Sequence, residues 1–176
     1  REVGDRKGES ASLINLGNIA KKRGDLAEAE RLHQERLVIN REIGDRQGEV
    51  PLLITLGGMA EKRGDLAEAE RLHREALAIT REIDDRQGGA AALINLGRIA
   101  NTRGDLAEAE RLYRESLAIK RGVFDRKGEA ALLINLALIA QARNDSIEQR
   151  KLNTEAVNIW REIDIPIDQW FIDNGY

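Results

Sequence analysis

RGDLAEAERL stands at Arg23–Leu32, recurs unchanged at Arg63–Leu72 and Arg103–Leu112, and returns in degraded form, RNDSIEQRKL, at Arg143–Leu152. The spacing is 40 residues each time. A leucine-rich run precedes every copy: LINLGNIA (13–20), LLITLGGMA (52–60), ALINLGRIA (92–100) and LLINLALIA (132–140). A tail ending in a GDRxGE-like turn follows, as in Arg41–Glu49. A fixed period of this size is the mark of a repeat array, and it outranks any local reading of secondary structure.

Each repeat reads as two helices. In the second, Leu52, Leu56, Met59 and Ala60 recur at three- and four-residue steps, one face of a helix. Arg63–Gly64–Asp65 interrupts, and Leu66, Ala69, Leu72, Ala76, Ile79 and Ile83 form a second stripe. Neither helix buries its stripe alone, so stacked hairpins are expected to share one continuous core. Gly24, Gly64 and Gly104 stand where the first helix of each pair should stop in a left-handed residue, and Asn144 replaces them in the fourth copy. Asp25, Asp65, Asp105 and Asp145 follow, each with Glu three residues on, which predicts N-caps with capping-box partners. The second helices should end at glycines such as Gly4 and Gly44. Two irregularities carry expectations. Phe124 replaces a stop glycine while Gly122 precedes it, so that helix should end early; Pro51 should make its helix begin late or bend. Gly17, Gly57 and Gly97 fall mid-helix, where bare backbone lets the paired helix approach, with Ala29, Ala69 and Ala109 expected opposite.

The fold class expected is all-α, four helix-turn-helix repeats in a right-handed solenoid with a C-terminal capping segment. The divisions are 1–4, the end of a preceding repeat; 5–44, 45–84, 85–124 and 125–163, the four repeats; and 164–176, the cap. The opening REVGDRKGE matches REIGDRQGE at 41–49, so a longer array is expected.

Composition excludes several function classes. Lys+Arg (28) and Asp+Glu (31) leave a net charge of −3, against the basic excess usual for nucleic-acid binding. There are no cysteines, hence no disulfide or thiolate chemistry. No apolar run approaches the ~20 residues that span a bilayer, and no signal peptide is visible, so a cytoplasmic location is expected, short of a targeting signal upstream. Ser and Thr lack a base partner and there is no Gly-rich phosphate loop, so no catalytic role and no cofactor are expected. The two histidines, His33 and His73, share one repeat position with Tyr113 and Asn153, which suits packing with a polar edge rather than a metal site.

Leu16–Gly17, Gly24, Ala29 and the small residues Ala76, Ser116 and Ala156 give the chain its resemblance to the tetratricopeptide repeat. The 40-residue period is similar to that of the Pins/LGN adaptors and kinesin light chains, and to sensor arrays of bacterial and archaeal regulators. The resemblance departs at Leu13, Leu26 and His33, where bulky rings are common in the family, and at Arg36, which takes a small-residue position. It implies a superhelix whose concave face is lined by the first helix of each pair, and binding of a protein or extended peptide there.

Projected on this chain, that lining comprises Ile14, Asn15, Asn18 and Lys22; Ile54, Thr55 and Lys62 with Gly58; Ile94, Asn95 and Arg98 with Thr102; and Ile134, Asn135 and Leu138 with Ala142. An asparagine amide both donates and accepts, so a ladder of them can pair with peptide backbone; the alternative is that they tie adjacent helices together or face water. Lys21, Lys22 and Lys62 lie toward one end of the face and Leu138 and Ala142 toward the other, which suits a peptide acidic on one side and apolar on the other. A complete dicarboxylate clamp is not supported. The tail 163–176 holds Trp170, Phe171 and Tyr176 and is expected to fold over the last helix. The rival to the peptide scaffold is a self-assembly module, working through repeat stacking or tail exchange between copies, which makes a homo-oligomer possible.

Overall fold

A computed structural model describes residues 3–164, with side chains from Arg6 onward except Asn18. The expected cap at 164–176 therefore lies outside the described residues apart from Asp164. Among the described residues all regular structure is helical: α1 (Val3–Lys22), α2 (Leu26–Glu42), α3 (Arg46–Lys62), α4 (Leu66–Glu82), α5 (Arg86–Thr102), α6 (Leu106–Gly122), α7 (Arg126–Ala142) and α8 (Ser146–Glu162). Two compact units form, Arg1–Ala92 and Leu93–Tyr176, with the division inside α5.

Every turn uses the same backbone device. Gly24 sits at φ 78° and donates to the Lys21 carbonyl at 3.1 Å, while the Asp25 N–H reaches the Ala20 carbonyl at 3.0 Å. These two bonds close a Schellman motif. The Asp25 carboxylate then accepts from the Glu28 N–H at 3.0 Å, and Asp65, Asp105 and Asp145 repeat the bond. The capping box stays half built. The Glu28 carboxylate does not return to the Asp25 N–H, which the Schellman motif has already taken; it binds Arg31 at 2.8 Å instead. That guanidinium holds the Glu28 carboxyl below its usual range.

The irregular positions yield to this device. α6 has the same 17 residues as its counterparts and does not stop early at Gly122. Phe124 itself adopts φ 56°, and the next N–H, of Asp125, bonds the Lys120 carbonyl at 3.0 Å. The strain of a left-handed non-glycine residue costs about 1–3 kcal/mol, and here the two turn bonds and the Asp125 cap offset it. α3 begins at Arg46, in register with its counterparts, so Pro51 does not delay it. Proline lacks only the N–H that would reach the Gln47 carbonyl, and both residues are exposed. α1 runs unbroken through Gly4 and Asp5.

In unit 1, α1 pairs with α2, α2 with α3, and α3 with α4. Its core is aliphatic, with Leu53, Ile79 and Ala76 at 0–2 % exposure. In unit 2, α6 and α8 both pack on α7, whose Leu132, Leu133 and Leu136 are buried.

The mid-helix glycines do admit close approach, and the groups nearest to them are rings. A Cβ built on Gly57 would lie 2.5 Å from His73 Cε1, and one on Gly97 would lie 2.6 Å from Tyr113 Cε1. Ala69 and Ala109 are fully buried as well. The fourth repeat inverts the pairing, with the larger Ala137 at the glycine position and the smaller Asn153 at the ring position, both buried. The first hairpin is looser. Its Gly17 Cβ would stand 3.3 Å from a half-buried His33. Arg36 there replaces the fully buried Ala76, and its guanidinium reaches Ser10 Oγ at 3.4 Å.

Candidate functional site

The helices that should line a binding face present it in two sets, one per unit. Positions i, i+1, i+4 and i+8 of a helix fall within about 100° of arc, so each set shares a face. In unit 1, α1 offers half-buried Ile14 with exposed Asn15 and Lys22; the Asn18 side chain is outside the described residues. On α3, Ile54 packs against the core cluster of the unit, and Thr55 and Lys62 are exposed. In unit 2, Ile94 and Asn95 on α5 and Ile134 and Asn135 on α7 are half-buried, Arg98 is exposed, and Leu138 is 54 % exposed.

Hydrogen bonding separates these polar groups. The Thr55 hydroxyl donates to the Pro51 carbonyl at 2.7 Å, so its hydrogen is already committed to its own helix. The side-chain amides of Asn15, Asn95 and Asn135 make no hydrogen bond among the described residues. Among the described residues they therefore tie no neighbouring helices together, and both a ligand role and simple exposure to water stay open. Lys22 and Lys62 likewise have no ion-pair partner among the described residues.

Other charges pair within helices, as Arg31 does with Glu28 and Glu35, and also between helices. Arg41 pairs with Glu75 and Arg63 with Glu30 in unit 1; Arg121 pairs with Glu155 and Arg143 with Glu110 in unit 2. Glu49 and Glu129 are buried carboxylates clamped by two arginines each. Arg46 lies 3.1 Å from Glu49, and Arg121 and Arg126 lie 2.8 and 2.7 Å from Glu129. Such pairs are satisfied structure rather than reactive groups.

The histidines pack. His73 is fully buried against Gly57, with Nε2 3.0 Å from Glu61 Oε1. His33 has a pKa held below its usual value, chiefly by burial and then by nearby Arg36 and Lys21.

Two family models of the tetratricopeptide repeat match consecutive stretches, residues 12–47 and 48–122. The chain belongs to the tetratricopeptide-repeat family. No curated protein sequence matches it. Among solved structures it is similar to BtubC (BKLC) from P. vanneervenii, at 20 % identity and a TM-score of 0.77, over 95 % of this chain and 65 % of that one. A Podosopora anserina chain of nearly identical TPR-like repeats, assigned as a kinesin light chain, aligns at 20 % identity and a TM-score of 0.69, over 88 % and 77 % of the two chains. The third is a signal transduction ATPase with numerous domains and a tetratricopeptide repeat sensor, from Pyrococcus horikoshii. It aligns at 15 % identity and a TM-score of 0.83, over 93 % of this chain and 26 % of its own. These likenesses establish the helix-turn-helix repeat fold, and this chain spans from about a quarter to three quarters of the three. Among the described residues no helix is long and apolar enough to cross a membrane.

The sequence reading missed one surface. Leu16, Ile19 and Leu26 are 50, 44 and 54 % exposed, although Leu56 in the Leu16 position of the next repeat is 4 % exposed. The repeat pattern marks all of these as core, and only the packing tells them apart.

Proposed function

We propose that this chain is a non-catalytic protein-interaction scaffold that holds an extended peptide, or an extended segment of a partner protein, against the first helices of its hairpins. The observation that carries this is the uncommitted amides of Asn15, Asn95 and Asn135, each next to a half-buried isoleucine. An extended backbone offers N–H and C=O groups in alternation, and one amide can pair with both. The isoleucines supply apolar contact beside each pair. Exposed Lys22 and Lys62 in unit 1 suit acidic ligand side chains, and exposed Leu138 in unit 2 suits an apolar one. The sensor role of the tetratricopeptide repeats in the P. horikoshii ATPase is compatible with such a scaffold.

The test is selection from a random peptide library, followed by affinity measurement on Asn95→Ala/Asn135→Ala and on Asn15→Ala. A net hydrogen bond contributes roughly 0.5–1.5 kcal/mol, so the double variant should bind selected peptides about 5- to 100-fold more weakly while its helical content is unchanged. Undiminished binding by both variants refutes the reading. So does an absence of selected peptides together with a mass in light scattering that grows with concentration, which makes the chain an assembly module.

A further inference from the structure

A buried glutamate held between two arginines recurs along the chain, and one repeat keeps the arginines but lacks the glutamate. In α3 the carboxylate of Glu49, at 1 % exposure, lies 3.1 Å from Arg46 and 3.8 Å from Arg41. In α7 that of Glu129, at 4 %, lies 2.7 Å from Arg126 and 2.8 Å from Arg121. The corresponding residues of α4 and α5 are Arg81, Arg86 and Gly89, all inside unit 1. A further carboxylate is missing from the same repeat. Arg46 also pairs with Glu82, and Arg126 with Glu162, each 36 positions on; the residue at that distance from Arg86 is Gly122. Arg86 is exposed, and its guanidinium makes no hydrogen bond or ion pair among the described residues.

The carboxylates nearest in sequence do other work. Asp85 caps the Gly88 N–H at 2.9 Å, and Glu82 is held by Arg46 at 2.6 Å. Beyond α5's own backbone, a Cβ built on Gly89 would meet only Thr80, 3.2 Å from its Oγ1 and 3.8 Å from its Cβ. We propose that Arg81, Arg86 and Gly89 form a binding site for a carboxylate on a short methylene stem, which takes the place of the missing glutamate side chain. Two methylenes and a carboxylate are the atoms that Gly89 lacks, and propionate matches them in size. The site does not need Arg81 to itself. Arg41 and Arg121 each hold a second glutamate, Glu75 and Glu155, while they clamp the buried one. A guanidinium is always charged, and its planar N–H donors fit the two oxygens of a carboxylate better than the single oxygen of an amide. A free short-chain acid and the acidic side chain of a bound peptide both supply this chemistry.

The test is a proton–nitrogen NMR titration of the intact chain with sodium propionate at constant ionic strength, reading the Arg86 Nε–H and the Gly89 amide. Saturable shifts are expected, with a Kd on the order of 10 mM, given the modest energies of part-exposed ion pairs. Propionamide, the uncharged isostere, should shift neither signal. Arg86→Gln, read at the Gly89 amide, should weaken binding about fivefold or more. Gly89→Glu, which rebuilds the clamp from within the chain, should abolish it. Arg86 is exposed, so its replacement leaves the core intact and decides the matter even where the glutamate, crowded by Thr80, impairs folding. N-acetylglutamate methylamide separates the two sources: binding tighter than that of propionate assigns the site to a peptide's acidic side chain, and weaker binding to a free short acid. An equal response to propionamide overturns the proposal. So does a propionate titration that stays linear to molar concentration, or one of unchanged affinity in the Arg86→Gln chain.

Discussion

Gly57→Ala and Gly58→Ala are adjacent changes in one helix, and the structure gives them opposite signs. In a helix interior, alanine is favoured over glycine by about 1 kcal/mol. At Gly58 a new Cβ would meet nothing within 4 Å, so the propensity gain should appear undiminished. At Gly57 the new Cβ would lie 2.5, 2.7 and 2.8 Å from three atoms of the His73 ring. The ring has no room to retreat: it is 0 % exposed, and its Nε2 is engaged with Glu61. Overpacking of this kind costs roughly 1–3 kcal/mol. Propensity cancels between the two variants, so Gly57→Ala should be less stable than Gly58→Ala by about that clash cost of 1–3 kcal/mol. Urea unfolding followed by circular dichroism at 222 nm measures the difference, with hydrogen exchange of α3 amides confirming that the change is local to unit 1. The double change Gly57→Ala/His73→Asn copies the Ala137–Asn153 pair and should recover most of the loss. If Gly57→Ala matches or exceeds Gly58→Ala, the account of glycine as a seat for the ring is wrong.

Gly17→Ala should fall between these two, because its nearest ring atom is 3.3 Å away on a half-buried His33 that can give way; the same urea series tests it. His33 titrates below its usual 6.5. The unfolded chain therefore binds the proton more readily than the folded one. The stability this confers is complete above the unfolded value and is lost as pH falls from about 6.5 through the folded value. A proton NMR titration of the ring should give a midpoint below 6.5, and replacing His33 with Asn should flatten stability across that range. Asp145→Ala removes the carboxylate that accepts from the Glu148 N–H at 3.0 Å, and thermal or urea unfolding should show a loss of about 1 kcal/mol.

The turn chemistry was legible in the residues because it is local. Gly24, Gly64, Gly104 and Asn144 all take positive φ, and the aspartates after them all cap helices. Local reasoning failed where two local devices compete for one group. The capping box needed the Asp25 N–H, which the turn had already used, and Arg31 took the glutamate. It failed again at Phe124 and Pro51, where each residue's own preference is weaker than the register imposed by the helices on either side.

The candidate binding rows were readable as helix faces, since i, i+1, i+4 and i+8 lie together in any helix. Which of their polar groups is free was not. Asn135 and Thr55 occupy the same repeat position, and only the tertiary structure reveals that the threonine hydroxyl bonds its own backbone while the asparagine amide bonds none of the described residues.

By itself the sequence determined the family and, among the described residues, the paired helices and most of the turns between them, because a 40-residue period and its glycine–aspartate punctuation act through the backbone within a few residues. Tertiary structure alone decided which copy of a repeated residue is core and which is surface. Leu16 and Leu56 have nearly the same neighbours in sequence, yet one is 50 % exposed and the other 4 %. Burial depends on what another helix brings from 20 or more residues away, and no periodicity within a single repeat records that.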